Sequence, residues 1–328
     1  MADTEGRELQ KAFEESGANY RGKNVDLYSI YRDMRKNSPI VAEDFMGKLG
    51  VPNIAGHDPD RPTFTIFKYQ DVMAVLRDAK KFTSGFIAEG LGSFVDGLIL
   101  TGMDGDEHRK IRALLKPIFM PQVANTWRET VMDPIIRNDY LLPMLPDKKA
   151  DLMTFGLHFP IRLIYSLIGF PDDEPEKINQ YAAWAMDILQ GPQVDPANAK
   201  AAREAAMSAS KQLYDAVIEH VREVRAAGAE GGDLISRLIA AEYEGGHLDD
   251  HEIATFVRSL LPAASETTSR TFGSLMVLLL ERPDLLERVR NDRELVMKAI
   301  DETNDAITAV IFSEKAIASP LEFVSLSN

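Results

Sequence analysis

The chain has 328 residues, of which 45% are hydrophobic and 27% are charged. These are ordinary globular values, and they exclude a disordered chain or a collagen-like repeat. The 37 basic and 51 acidic residues give a net charge of -14, which is the wrong sign for binding nucleic acid or an anionic membrane surface. We therefore expect no nucleic-acid partner.

The sequence contains no cysteine, which excludes disulfides, thiolate metal ligands and cysteine nucleophiles. Its first residues carry no apolar run, and no stretch approaches the ~18 apolar residues that a membrane span requires. We expect a soluble, cytoplasmic protein without a membrane partner.

Most of the chain has apolar residues at three- and four-residue spacing, which predicts a mainly α (α+β) fold. Helices are predicted at 24–36, 70–78, 108–119, 121–127, 157–168, 195–228 and 249–280. The alternating run 64–67 predicts a strand that pairs with 40–45, giving a small sheet near the N-terminus. Residues 82–100 contain too many glycines for a regular element and predict a flexible loop beside a pocket.

The predicted helix at 195–228 has Asp195 as its N-cap, Pro196 at its first position and Gly228 after its end. The predicted helix at 249–280 is the long central one. It contains Pro262, which should kink it, and its apolar end at 275–280 predicts burial on most faces.

The composition changes near the C-terminus. Residues 281–303 include 12 charged residues in 23, whereas residues 304–328 include four in 25. We see no continuation of the helical pattern after residue 303.

Adjacent acid and hydroxyl groups at Ser265, Glu266 and Thr267 are costly inside a buried helix unless they are hydrogen-bonded or functional. They either bond back to helix carbonyls or line a binding cavity. Upstream, His108 and Arg112 are four residues apart, so both donors lie on one helical face. That face is suited either to clamping an anionic ligand or simply to facing solvent.

Two further patterns are weaker. His247 and His251 have metal-like spacing, but they lie at a turn without a third ligand, so no metal site is predicted. The acidic run at 172–176 superficially resembles a diphosphate-binding motif, but its proline predicts a polar helix start.

Three segments, in order and spacing, resemble one family. They are Ala263-Ala-Ser-Glu-Thr-Thr268, the segment 104–112 with its His108-x-x-x-Arg112 pair, and the link 280–290 out of the central helix. Together they are similar to the cytochrome P-450 haem-thiolate monooxygenases of the soluble bacterial type. The resemblance covers about residues 20–303.

The resemblance implies a haem cofactor whose propionates are held by His108 and Arg112. It implies that Ala263 and Ala264 line an oxygen pocket, Glu266 relays protons, and Thr267 donates a hydrogen bond to the oxygen being activated. Phe86 and Phe94 of the Gly-rich loop would contact a small, apolar organic substrate. A ferredoxin-type protein would supply electrons.

The resemblance also has departures. Residues 299–303 are similar to the start of the family's Glu-x-x-Arg helix, but Asp305 stands where arginine is expected, and no cysteine can ligate iron. This predicts an N-terminal extension at 1–20, an incomplete P-450-like domain at 21–303 that lacks the C-terminal part of the fold, and a truncated or frameshifted, non-family tail at 304–328. Haem binding should then be weak or lost, and the chain inactive as written. The alternative is a non-catalytic helical ligand-binding or interaction protein.

Overall fold

The computed structural model describes residues 2–52, 61–96, 99–146, 149–171, 174–192, 196–243 and 245–311. The chain divides into two compact units. The first comprises Met1–Gly22, Gly50–His57 and Thr83–Glu266, and the second comprises Lys23–Leu49, Asp58–Phe82 and Thr267–Asn328.

The first unit is built mainly of helices. These are α1 Ala2–Tyr20, α5 Gly85–Glu89, α6 Gly105–Leu115, α7 Pro121–Trp127, α8 Asp133–Ile135, α9 Leu142–Met144, α10 Leu152–Ile168, α11 Pro175–Leu189, α12 Pro196–Ala226 and α13 Leu234–Ala240. Shorter 3-10 turns lie at Leu91–Phe94, Leu100–Gly102 and Lys116–Phe119, and π-helical turns lie at Arg128–Met132 and Ile136–Leu141. A two-stranded hairpin, β3 Glu242–Tyr243 and β4 Gly246–His247, precedes the central helix.

The central helix α14 spans Asp250–Leu280, and its residues from Thr267 belong to the second unit. That unit also contains the helices α2 Leu27–Asn37, α3 Phe45–Lys48, α4 Tyr69–Arg77, α15 Pro283–Asn291 and α16 Glu294–Ile311. Its strands β1 Ile40–Val41 and β2 Thr65–Ile66 pair antiparallel, with Ile40 opposite Ile66. The predicted N-terminal sheet is therefore confirmed, as are the two long helices.

Each unit has its own apolar packing. In the first unit, α10, α11, α12, α13 and the N-terminal half of α14 bury a large core that includes Ile161, Tyr165 and Val257. In the second unit, Tyr31 of α2 packs with Phe45 and Phe67 beside the sheet.

Residues 82–100 are more regular than predicted, because α5 and two 3-10 turns lie in or next to this segment. Glycine is what allows the elements to approach closely. A Cβ on Gly102 would lie 2.9 Å from the backbone nitrogen of Ala88 in α5, so any side chain there would push the 3-10 turn away.

The end of α14 is less buried than predicted. Val277 is 53% exposed and Leu280 is 55% exposed, while Leu279 packs with Leu285 and Leu295 of the next two helices. An apolar end needs neighbours on every side to be buried, and α15 and α16 cover one side.

The expected loss of helical pattern after Thr303 is also wrong, since α16 continues to Ile311. The segment from Asn304 to Ile311 contains neither glycine nor proline, so nothing in it stops a helix. The remainder of the predicted tail, and the predicted N-cap Asp195, lie outside the described residues.

Candidate functional site

The N-terminal half of α14 leads into the motif at 263–268. Ile253, Ala254, Val257 and Leu261 are fully buried in the core of the first unit. The helix continues through Pro262 as far as Leu280. The motif that follows is therefore held by a helix that the core anchors firmly.

The motif has two faces. Ser265 is fully buried, and its Oγ donates to the backbone oxygen of Leu261 at 2.7 Å. For Ser265 the structural alternative, a hydroxyl bonded back to the helix carbonyl, is confirmed. Ala263 and Thr267, one turn apart, are exposed, and Ala264 is half-buried. The motif thus presents small side chains and a hydroxyl on its open face.

Glu266 is half-buried, and its partner comes from a distant part of the chain. The Oγ of Ser16 in α1 donates to Oε1 of Glu266 at 2.9 Å. Ser16 itself is fully buried. The acid of the motif is therefore held in a defined position by a hydroxyl of the N-terminal helix.

Two other ionisable groups, Tyr20 of α1 and Asp187 of α11, have raised pKa values. The Tyr20 hydroxyl donates to the backbone oxygen of Leu189 at 2.9 Å, and burial together with the Glu266 carboxylate raises the pKa of Tyr20 to about 12. Burial, with a smaller contribution from Glu15, raises the pKa of Asp187 in α11 to about 6. This region therefore disfavours additional negative charge.

His108 and Arg112 lie one turn apart on α6, as predicted. His108 is half-buried and Arg112 is exposed. Arg109, between them in sequence, forms an ion pair with Asp106 at 2.8 Å. Within the part of the chain that the structure describes, neither His108 nor Arg112 forms an ion pair, so the imidazole and the guanidinium are both available as donors to an anionic ligand.

The two predicted substrate contacts differ. Phe86 of α5 is 45% exposed. Phe94 is buried in the core, where it packs against Gly191 and where Arg203 lies over its ring at 5.3 Å. Phe94 therefore has a packing role, because aromatic area at this position completes the contact between its 3-10 turn and helices α11 and α12.

The two histidines with metal-like spacing have other partners. The Nδ1 atom of His247 lies 3.1 Å from the backbone oxygen of Ala241, and the Nδ1 atom of His251 lies 2.7 Å from the Tyr214 hydroxyl. Among the described residues, no three His, Cys, Asp or Glu side chains are grouped as metal ligands. Of the acidic run at 172–176, Asp172 and Asp173 lie outside the described residues, and Pro175 begins α11.

Sequence reasoning missed α1. Residues 1–20 were predicted only as an extension, although Leu9, Ala12, Ser16 and Tyr20 follow helical spacing. That spacing is the signal by which the helix could have been predicted. The contact of Ser16 with Glu266, 250 residues away, has no signal in the sequence.

Comparison with a protein-family model gives one match. The model for "Cytochrome P450" matches residues 177–312, a span that includes most of α11 and the whole of α12 and α14. Over these residues the chain is similar to the cytochrome P450 family. The match extends beyond Thr303, where the sequence resemblance was predicted to stop.

Curated P450 relatives cover most of this chain. Pulcherriminic acid synthase of Bacillus subtilis (strain 168) is 27% identical over 285 residues, which are 86% of this chain and 67% of that protein. Erythromycin C-12 hydroxylase of Saccharopolyspora erythraea is 29% identical over 249 residues, which are 72% of this chain and 57% of the relative. The chain therefore spans no more than about two thirds of the length of these P450 proteins.

Solved P450 structures share the fold. The ligand-free structure of cytochrome P450 TbtJ1 has a TM-score of 0.66 and 28% identity, over 85% of this chain and 66% of that one. The P450 PksS of Bacillus subtilis 168 has a TM-score of 0.68 and 23% identity, over 85% and 66% of the two chains. The mainly helical fold with a small antiparallel sheet is thus a P450 fold. Among the described helices of this chain, none is both long and apolar enough to cross a bilayer.

Proposed function

We propose that this chain carries the substrate-side and propionate-binding parts of a haem-dependent monooxygenase. The observation that carries the proposal is the acid Glu266, held half-buried on α14 beside the small residues Ala263 and Ala264. The hydrogen bond from Ser16 holds this carboxylate in one position next to the small residues. We infer that its task is proton delivery, as the similarity to cytochrome P450 proteins implies.

The residues of α6 fit a haem. Its two propionates are anionic, and His108 and Arg112 supply two donors on one helical face that form no ion pair among the described residues. A bound haem would supply the redox chemistry by which one oxygen atom of O2 enters the substrate, while two electrons and two protons reduce the other to water.

The roles of the remaining side chains follow from their positions. Glu266 would accept and pass on protons at its carboxylate oxygens, and Thr267 would donate a hydrogen bond from its hydroxyl. Ala263 and Ala264 would leave space beside the helix. Phe86, exposed on α5, would contact the substrate.

We propose a small to medium, apolar organic substrate and a ferredoxin-type electron donor acting in the cytoplasm. An apolar substrate suits the exposed aromatic ring of Phe86. The names of two relatives, pulcherriminic acid synthase and erythromycin C-12 hydroxylase, support an organic substrate.

The decisive experiment is a haem titration of this chain and of two variants. We expect the double variant His108→Ala, Arg112→Ala to bind haem about tenfold more weakly, because partly exposed charge pairs contribute up to about 1 kcal/mol each. The matched control is Arg109→Ala, which removes a basic side chain of the same helix that is already paired with Asp106. Equal affinities in all three chains would remove the propionate role.

A second measurement addresses the iron ligand. Because none of the 328 residues is a cysteine, we expect substoichiometric haem and no thiolate-type spectrum of the reduced carbon monoxide complex. A thiolate-type spectrum from this chain would contradict that expectation. A folded chain that binds apolar ligands but no haem would favour the second candidate, a non-catalytic helical binding protein.

A further inference from the structure

The helix α16 has a buried face and an exposed face. The buried face carries Leu295, Ala299 and Thr303, which are spaced by four positions. Leu295 and Ala299 pack with Leu279 and Leu285 in a small apolar core of the second unit. This face of the helix is therefore already covered within its own unit.

The exposed face of α16 also carries apolar side chains. Val296 is 37% exposed, Met297 is 62% exposed, and Ile300 is half-buried. These positions lie within one turn of each other, on the side of the helix away from the buried stripe. Together they form an apolar stripe, and a contiguous stripe of this kind is a candidate surface for a protein partner.

Two opposite charges flank the apolar stripe. Arg293 and Asp301 each lie four positions from Met297, and both are exposed. Neither forms an ion pair within the part of the chain that the structure describes. Eight residues of helix span about 12 Å, which is too far for the two side chains to pair with each other. Arg293 also does not stabilise its own helix, because a cation near a helix N-terminus opposes the helix dipole.

The positions of these charges fit a second copy of the same helix. When two copies pack antiparallel around a two-fold axis at Met297, a residue before Met297 in one copy lies opposite the residue the same distance after it in the other. Arg293 of each copy then lies opposite Asp301 of the other, so the ion pair forms twice. A parallel pair would instead place like charges opposite each other. The charges therefore select the antiparallel arrangement.

We propose that the α16 face formed by Arg293, Val296, Met297, Ile300 and Asp301 is a self-association surface on which a second copy of this chain packs antiparallel. The proposal does not rest on the proposed function, which assigns none of these residues. The contact uses the same face of both copies, so assembly closes at the dimer. One helix pair gives a small interface, and we expect a dissociation constant of the order of micromolar that rises with salt.

Sedimentation velocity over a range of concentrations measures the association of the whole chain, whose monomer mass is 36.5 kDa. We expect a reversible equilibrium between monomer and dimer. Arg293→Asp and Asp301→Arg should each weaken it at least tenfold, because each change places like charges opposite each other at both pairs. The matched control is Lys298→Glu, which reverses an exposed charge of the same helix outside the apolar stripe and should leave the association unchanged.

Mixing the two weakened variants tests the pairing itself. The Arg293→Asp chain then carries two acids beside its stripe and the Asp301→Arg chain carries two bases, so the mixture should form a heterodimer with about the affinity of the parent. The double variant with both changes should regain the homodimer. This recovery guards against misfolding, because a variant that had lost its fold would not associate again on mixing.

The absence of cysteine allows a direct test of the axis. Met297→Cys introduces one thiol, and a short bis-maleimide should link two copies through it. Lys298→Cys is the control and should be linked far less, because its side chain lies on another face of the helix. Efficient linking at both positions would contradict the proposed axis.

Three further outcomes would overturn the proposal. The unmodified chain could remain monomeric at concentrations well above the micromolar range, which would mean that another part of the chain covers this face. It could associate with the same affinity after both charge changes. It could also form open-ended larger species, which would indicate non-specific apolar aggregation.

Discussion

The guanidinium of Arg258 in α14 is buried and donates from Nη2 to Oδ2 of Asp96 at 2.5 Å, across 162 positions of sequence. Its carbon Cζ also lies 5.0 Å from the centre of the Tyr214 ring in α12. Its Nε atom is buried and has no hydrogen-bond partner among the described residues. Asp96 is therefore the principal counter-charge of this cation, and the pair ties the loop after Phe94 to the central helix.

This pair predicts that Asp96→Asn destabilises the protein by about 2 kcal/mol, because removal of one partner leaves a buried cation without its counter-charge. Asn is the suitable replacement, since Asp96 has φ of 55°, a left-handed conformation that Asn tolerates better than most residues. Urea unfolding measures the change.

The matched control is Asp215→Asn, which removes the acid of an exposed pair with Lys211. Its effect should be much smaller, because water screens exposed pairs. An equally small effect of Asp96→Asn would show that the pair with the buried Arg258 contributes no more to stability than a surface pair.

Asp187 predicts a pH dependence of stability. Its pKa in the folded chain is raised to about 6, so ionisation opposes folding. The associated loss of stability is absent below the ordinary Asp pKa, grows as the pH rises towards about 6, and is complete above it. Asp187→Asn should therefore raise the free energy of unfolding at pH 7, on the order of 1 kcal/mol after screening is allowed for.

Thermal unfolding of both chains at pH 4 and pH 7 tests this sign. We expect the gain from Asp187→Asn at pH 7 and little difference at pH 4. A variant that is less stable than the parent at pH 7 would mean that the ionised carboxylate stabilises the fold.

Gly191 predicts a steric effect. A Cβ at this position would lie 2.5 Å from Cζ of Phe94 and 3.0 Å from Cβ of Ala206. Because the Phe94 ring is buried, Gly191→Ala should destabilise the protein by about 1–3 kcal/mol through overpacking. Adding Phe94→Leu should recover part of that loss, which a double-mutant cycle would show as coupling.

Gly85→Ala provides the comparison, since a Cβ there meets nothing within 4 Å. It should leave stability unchanged or raise it slightly, because alanine restricts the unfolded chain. Equal losses at the two glycines would rule out the contact with Phe94 as the cause.

The N-cap of α10 gives a fourth prediction. Asp151 accepts from the backbone nitrogens of Met153 and Thr154 and from the Thr154 hydroxyl, which together lower its pKa. Asp151→Ala should cost about 1 kcal/mol. The charge-dependent part of this stability is present above the ordinary Asp pKa and is lost as the pH falls through the lowered value.

Asp151→Asn separates the two contributions, because its amide oxygen can still cap the helix. We expect Asn to retain most of the stability at pH 7 and to lack the acid-dependent loss. Chemical unfolding at pH 7 and pH 3 measures both contributions. Identical pH profiles for the two chains would show that the charge of Asp151 does not contribute to stability.

The sequence by itself determined the elements whose signals are local. The cap, proline and glycine pattern around α12, the long apolar period of α14, and the alternation at Thr65 and Ile66 predict their elements without reference to the rest of the chain. The motif at 263–268 and the pair His108 and Arg112 are likewise local patterns, and they carry the resemblance to cytochrome P450 proteins.

Only the tertiary structure decided which distant groups meet. Ser16 binds Glu266, and Asp96 pairs with Arg258, although neither member of either pair carries a sequence signal of its partner. Phe94 lies in the core rather than on an open loop because Gly191 leaves space for its ring. The physical reason is the same in each case: helical periodicity reports that a face will be buried, whereas the identity of the group that buries it depends on how the helices pack.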